Sequence, residues 1–155
     1  MKHQKMLNLA LSKLGKEFYL LDLTFHKMVG AKKDDVTSYW PGPPEDDILI
    51  CVFKGQEIHE PFHRQDFFFI NYAYKLDYQA LSGIKDNLIT IHEDECYISQ
   101  PYSGYALRCD SLEETIIIGV LIKRDTFFRE YLPTFYTDSD LFRFFVDPQS
   151  VYRVP

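Results

Sequence analysis

From Ile48 to Lys123 the apolar residues alternate with polar ones or form short β-branched and aromatic runs, and turn-forming residues interrupt them at short, regular intervals. The strand candidates are residues 48–53 (ended at Gly55), 67–74, 78–81, 88–92, 95–100, 104–109 and 115–122. Between them, residues 75–77, 83–87, 93–94, 101–103 and 110–114 carry Gly, Pro, Asn, Asp and Ser in the mixtures that turns use. Many short strands joined by turns, with no helical stretches between them, specify an antiparallel sandwich or barrel.

The flanks have a different period. From Lys5 to Met28 the apolar residues Leu7, Leu11, Leu14, Phe18, Leu21, Phe25 and Met28 recur in a heptad-like stripe, with Lys13, Lys16, Glu17 and Asp22 off it. The stripe predicts a helix packed on its own domain, or alternatively a seam for self-association. Gly15 weakens a continuous helix by about 1 kcal/mol, and residues 19–25 also fit a strand. Residues 30–47 are polar and centred on Pro41-Gly42-Pro43-Pro44, which sustains neither a helix nor an interior strand. Trp40, just before the prolines, is expected to plug the core or to cover a cavity.

After Lys123 the helical period returns. A helix over residues 126–132, capped by Asp125 or Thr126, should stop at Pro133. A second over residues 139–146, capped by Asp138 or Ser139, should end at Asp147-Pro148. The expected division is a helical segment and Pro-rich loop over 1–47, a β-barrel over 48–123, and helices with the start of a linker over 124–155, all within one structural domain. The chain stops at Pro155 without a polar tail, so it is expected to continue in the natural protein.

Composition narrows the function classes. A net charge of −6 speaks against nucleic-acid binding by this chain, because phosphate contacts require clustered Lys and Arg. No apolar run approaches the roughly 20 residues of a membrane-spanning helix, and no signal peptide is evident. Cys51, Cys96 and Cys109 lack paired spacing and read as buried free thiols of a cytoplasmic protein. There is no nucleophile elbow, glycine-rich phosphate loop or C-x-x-C pair. The aromatic fraction of 16%, with 13 Phe and 11 Tyr, calls for a thick aromatic core, a pocket or an interface.

Two stretches carry a family resemblance. His59-Glu60-Pro61-Phe62-His63-Arg64-Gln65-Asp66-Phe67-Phe68-Phe69-Ile70-Asn71-Tyr72-Ala73-Tyr74-Lys75 resembles the first motif of the cupin domains in AraC-type transcription regulators. Residues 88–105, from Leu88-Ile89-Thr90-Ile91-His92 to Ser103-Gly104-Tyr105, resemble the second, and the aromatic helices after Lys123 are similar to those that close such domains. The resemblance covers about residues 48–146. It implies a mainly β fold, a cupin-like antiparallel β-barrel (jelly roll) with an N-terminal helical segment and two C-terminal helices.

In metal cupins two His and a Glu of the first motif and a His of the second bind a divalent ion. Laid on this chain, those positions fall on His63, Gln65, Phe69 and Tyr105, and the glycines of the motifs fall on Leu76, Asp94 and Tyr102. Only His63 of the ligand set is kept, and an imidazole with an amide, a phenyl ring and a phenol cannot hold a divalent metal. No cofactor is therefore expected. Alternation places His63, Gln65, Phe69 and Asn71 on one face, the one that lines the barrel in the family. With Tyr105 and Trp40 they form the candidate ligand pocket; the alternative is that Phe69 and Tyr105 merely fill the barrel.

Other sites fare worse. His92-Glu93-Asp94-Glu95-Cys96 reads as a solvated hairpin turn, because adjacent strand residues point to opposite faces. Pro61 denies His59 and His63 a shared helix face. Lys123-Arg124 is too small a basic patch for nucleic acid and is expected to cap the last strand.

The resemblance implies the effector-sensing and dimerising domain of an AraC-like regulator: not an enzyme, a homodimer, with a small-molecule effector (a sugar, a small aromatic or an acid), and with DNA reached only through a helix-turn-helix part absent from this chain. The candidate dimer contacts are Phe128, Tyr131, Leu141 and Phe145, with the N-terminal stripe as a second seam. The alternative is a small cupin enzyme or a stand-alone small-molecule-binding cupin.

Overall fold

The computed structural model describes residues 36–84 and 86–146. The heptad stripe from Leu7 to Met28, the end of the second helix at Asp147-Pro148 and the linker up to Pro155 lie outside the described residues. The strands are β1 (Val36–Ser38), β2 (Ile48–His59), β3 (His63–Gln65), β4 (Phe68–Lys75), β5 (Tyr78–Gly83), β6 (Leu88–Ile91), β7 (Cys96–Ser99) and β8 (Gly104–Ile122). They form one curled sheet in the order β1-β3-β8-β4-β7, with β2 and β5 also on β8 and β6 on β5. Every pairing is antiparallel except β1 with β3. The mainly β class with two C-terminal helical segments is the one expected from the sequence.

Strand β8 departs from expectation. Residues 104–109 and 115–122 are not two strands around a turn but parts of one strand of 19 residues. Its first part pairs with β5, from Gly104 opposite Gly83 to Arg108 opposite Gln79. Its last part pairs with β2 on one side (Thr115 opposite Gly55 to Ile122 opposite Ile48) and with β4 on the other. The turn-formers at 110–114 mark a bulge. The β2 register jumps there from Glu57 opposite Asp110 to Gly55 opposite Thr115, so the β8 residues between loop outward and Leu112 is 97% exposed. Such a bulge bends and twists a ladder without reversing the chain, which is how a strand this long follows a curled sheet. For the same reason β2 does not end at Gly55. It runs on to His59, beyond the end expected from the sequence.

Two apolar clusters sit on opposite faces. Inside the curl pack Cys51, Phe67, Phe69, Ala73, Tyr78, Ala80, Ile91, Tyr105, Leu107, Ile117 and Leu121, with Trp40 and Phe53 against them. Outside, Phe68 and Ile122 meet Phe127 and Phe145 of the C-terminal segment. That segment is a turn of α-helix, α1 (Arg124–Thr126), then a π-turn over Phe127–Tyr131 and a 3₁₀ turn over Leu132–Phe135, followed by α2 (Ser139–Val146). Pro133 does not stop the first helical stretch. It sits in the first turn of the 3₁₀ segment, where its missing N–H is no loss. Neither Asp125 nor Thr126 caps α1; Lys123 holds the cap position without a side-chain hydrogen bond. Asp138 does cap α2, its Oδ1 accepting from the backbone N–H groups of Asp140 (3.2 Å) and Leu141 (3.0 Å). Among the described residues no helix is long and apolar enough to cross a membrane.

Phe68 is the keystone of the outer cluster. It is 1% exposed, stacks on Phe127 at 4.1 Å between ring centroids, and meets Phe128 and Phe145 edge-on at 5.5 and 5.9 Å. Phe68→Ala should lower the free energy of unfolding by about 3–5 kcal/mol, the usual cost of emptying a fully packed aromatic site, as read by urea denaturation. A loss below about 1 kcal/mol would show that the helices do not depend on this contact.

Candidate functional site

Strand alternation builds the site. His63 and Gln65 of β3, Phe67 between the strands, and Phe69 and Asn71 of β4 are all odd-numbered and point into the curl. Tyr105 and Leu107 come from the first part of β8 and Leu121 from its last part; Phe53 comes from β2, and Glu60 follows it directly. Together they line a partly open cavity of about 30 Å³, room for about two water molecules. Gly119 keeps space beside it: a Cβ there would lie 2.7 Å from Cys51 Sγ and 3.0 Å from Asn71 Oδ1. Side chains thus fill most of the barrel, and the void they leave is lined in part by polar atoms.

The polar groups are organised. Asn71 Nδ2 donates to the Tyr105 hydroxyl (3.0 Å), and the Tyr78 hydroxyl donates to the Asn71 carbonyl (3.1 Å). His63 Nδ1 donates to the Pro61 carbonyl (2.8 Å), which puts the proton of the neutral ring on that nitrogen. Glu60 Oε2 accepts from the Leu107 N–H (3.1 Å). The Tyr105 ring lies edge-on to Phe69 at 4.7 Å and tilted over Tyr97 at 5.0 Å. Burial pushes the Tyr105 phenol well above its ordinary range and raises Tyr78 as well, with the Glu60 charge adding in the same direction. Burial likewise pushes the Cys51 thiol up to about 12, so it is inert as a nucleophile. Gln65 is 4% exposed and its Oε1 has no hydrogen-bond partner. A buried carbonyl that finds no donor costs about 1–3 kcal/mol.

Of the pocket residues expected from the sequence, His63, Gln65, Phe69, Asn71 and Tyr105 come together around this cavity. Trp40 does not. It packs edge-on against Phe67 at 5.8 Å behind the wall and donates from Nε1 to the Pro43 carbonyl (3.1 Å), so the stiff proline stretch fixes it as a plug. The sequence reading missed Phe53, Glu60, Phe67, Leu107 and Leu121. Parity along β3 and β4 pointed to Phe67, but Glu60 was hidden by ending β2 at Gly55.

The metal that the resemblance brings to mind does not fit this cavity. Among the described residues its lining offers only Glu60 and His63 as good ligand side chains, and Glu60 is already engaged with the Leu107 amide. A trio of metal-friendly side chains does exist elsewhere. Glu57, His59 and Asp110, all exposed, bring one donor atom each to within 4.8 Å of one another on the outer surface, with His59 Nε2 2.8 Å from Asp110 Oδ1.

The backbone has left-handed residues at three of the positions aligned above. Leu76, Asp94 and Tyr102, which fall on the motif glycines, are the non-glycine residues with positive φ among those described, at 66°, 70° and 64°. Side chains now occupy a left-handed conformation that glycine adopts without penalty. Of the dimer candidates, Phe128, Tyr131 and Leu141 are each 37% exposed, whereas Phe145 is 5% exposed within the outer cluster and is not available to a partner. Cys51 and Cys109 are buried as expected, but Cys96 is exposed, at the start of β7. His92 sits in a hairpin turn, its Nδ1 2.8 Å from Asp77 Oδ2. Lys123 does tie the end of the last strand: its N–H donates to the Asp47 carbonyl and its ammonium to the Pro44 carbonyl, over the Trp40 ring.

No protein-family model matches this chain, and no curated protein matches it. Solved structures similar to it include an RmlC-like cupin from Shewanella frigidimarina (8% identity over 49% of this chain and 66% of that one, TM-score 0.44). Another is a conserved protein with a double-stranded β-helix domain from Klebsiella pneumoniae (12% identity, 49% of this chain and 63% of that one, TM-score 0.45). A third is the cupin domain of Schizosaccharomyces pombe Cnp3 (8% identity, 53% of this chain and 60% of that one, TM-score 0.47). In each case the similarity spans about half of this chain.

Two outcomes follow from the local geometry. Tyr102→Gly removes a half-exposed side chain from a left-handed residue and should raise stability by about 0.5–1 kcal/mol in urea unfolding, where an ordinary strand residue would lose by the same change. The Asp77 carboxylate holds His92 above its ordinary 6.5, so an NMR titration should place the His92 midpoint above that value and Asp77→Asn should bring it back. This pair therefore supports the fold below pH 6.5 while Asp77 stays ionised, and loses that contribution as pH rises through the raised His92 midpoint or falls through the lowered Asp77 one.

Proposed function

We propose that this chain is the effector-sensing and dimer-forming cupin module of an AraC-like transcription regulator, acting by binding and not by catalysis. The observation that carries the reading is the fate of the metal positions. His63, Gln65, Phe69 and Tyr105 converge on one cavity, but as an imidazole, amide, phenol and phenyl cluster that suits a small molecule better than a coordinated metal ion. The left-handed backbone at Leu76, Asp94 and Tyr102 supports the alignment with the cupin motifs on which this rests. Metal-dependent chemistry lacks its ligands in the cavity, and the buried Cys51 thiol and Tyr105 phenol are poor nucleophiles at neutral pH. These points weigh against the enzyme reading.

Adjacent residues on opposite faces of the sheet supply the linkage. Phe69 and Leu121 touch the cavity, while their neighbours Phe68 and Ile122 anchor the helices, and the two pairs are in register across β4 and β8. A ligand that moves the inner pair by a fraction of an ångström moves the seat of Phe127 and Phe145 with it. A ligand with different affinities for two helix arrangements then shifts the population between them. Phe128, Tyr131 and Leu141 form the dimer seam in this reading, and DNA is contacted through a further domain. Sedimentation equilibrium at micromolar concentration should give twice the mass of the chain, and Leu141→Lys should give the monomer with the fold intact. A wild-type monomer that persists on concentration would overturn the dimer.

A further inference from the structure

The cavity is asymmetric in its charge. Of the donors that reach it, Asn71 Nδ2 is committed to the Tyr105 hydroxyl, His63 Nδ1 to the Pro61 carbonyl and the Leu107 N–H to Glu60, while the Gln65 amide brings a donor as well as an acceptor. Acceptors remain. Gln65 Oε1 is buried without a partner, and the Glu60 carboxylate brings a negative charge to the lining. Among the described residues no Lys or Arg lines the cavity: Arg64, between His63 and Gln65, donates to the Tyr102 carbonyl, and Arg108, next to Leu107, donates to the Glu60 and Leu107 carbonyls. The walls are the rings of Phe53, Phe67, Phe69 and Tyr105, whose faces attract cations.

We propose that the cavity selects a small hydrogen-bond-donating head group, an ammonium in first place, with Glu60 and Gln65 as its acceptors and the aromatic rings as its walls, and that it rejects carboxylates and phosphates. This rests on the reading of the cavity as the effector site, and it removes small acids from the ligands expected from the sequence. The cavity of about 30 Å³ limits the inserted part to a few heavy atoms, so the rest of a larger effector must lie outside it. Glu60 is the residue that separates an ammonium from a neutral hydroxyl; Gln65 serves both.

Ethylammonium, ethanol and acetate are probes of matched size, and ligands this small bind no tighter than about millimolar. Titrated at constant ionic strength and pH, ethylammonium chloride should shift and saturate the side-chain amide NMR signals of Gln65 and Asn71, ethanol should do so more weakly, and sodium acetate should leave them in place. Glu60→Gln, isosteric with the native side chain, should weaken ethylammonium about tenfold while ethanol binds as before; Gln65→Met should weaken both. Acetate that shifts these signals, or ethylammonium binding unchanged by Glu60→Gln, overturns the charge selection while leaving the effector site standing. Silence from all three probes overturns both the selection and the site.

Discussion

The hydrogen-bond ladders of four other strands converge on β8. Each backbone N–H and C=O buried in a sheet must find a partner, and β8 supplies those partners to β3 and β5 along its first part, to β4 along its last, and to β2 along both. A single strand can do this only if it bends. The outward loop of residues between Asp110 and Thr115 provides the bend, and the sheet curls around the side chains of Phe69, Tyr78, Tyr105, Leu107 and Ile117. The cavity, the position of Tyr105 opposite His63 and the placement of Phe68 under the helices are consequences of that one shared ladder.

The curl gives the molecule two faces with different chemistry. The inner face is aromatic but holds a connected polar group, in which Asn71, Tyr105 and Tyr78 satisfy one another and Gln65 Oε1 is left over. Low polarity makes those bonds strong and makes an unpaired acceptor costly, so the same environment that fixes the geometry raises the cost of leaving Gln65 Oε1 unbonded. The outer face is a cluster of stacked Phe rings on which the helices sit. Because a strand is one residue thick, the two faces are a single backbone apart at Phe68-Phe69 and Leu121-Ile122. Packing on one face cannot change without loading the other.

Much of this was legible in the sequence. Period-two runs at Phe67, Tyr78, Leu88 and Glu95 located four strands to within a few residues, and parity put His63, Gln65, Phe69 and Asn71 on one face, which the cupin resemblance implied was the interior. What resisted reading was the effect of neighbours on ambiguous local signals. Gly55 and the acidic stretch at 110–114 have the composition of chain ends, yet paired across a bulge they stay within long strands, because the partner ladder satisfies their backbone groups. That misreading hid Glu60. Phe145 lies on a helix with apolar residues on several sides, and only the position of Phe68 and Phe127 decides which side is buried. The short strand β1 lay in a proline-rich loop and is carried by its pairing with β3, not by its own propensity.

Metal content measured on protein purified without chelator is the most direct test of the claim that the interior has exchanged ion holding for recognition. The account predicts well below one equivalent of Fe, Mn, Ni or Zn at the barrel, with no change in metal content on His63→Ala, whatever the exposed Glu57, His59 and Asp110 trio retains. A full equivalent that disappears on His63→Ala and survives His59→Ala would contradict it.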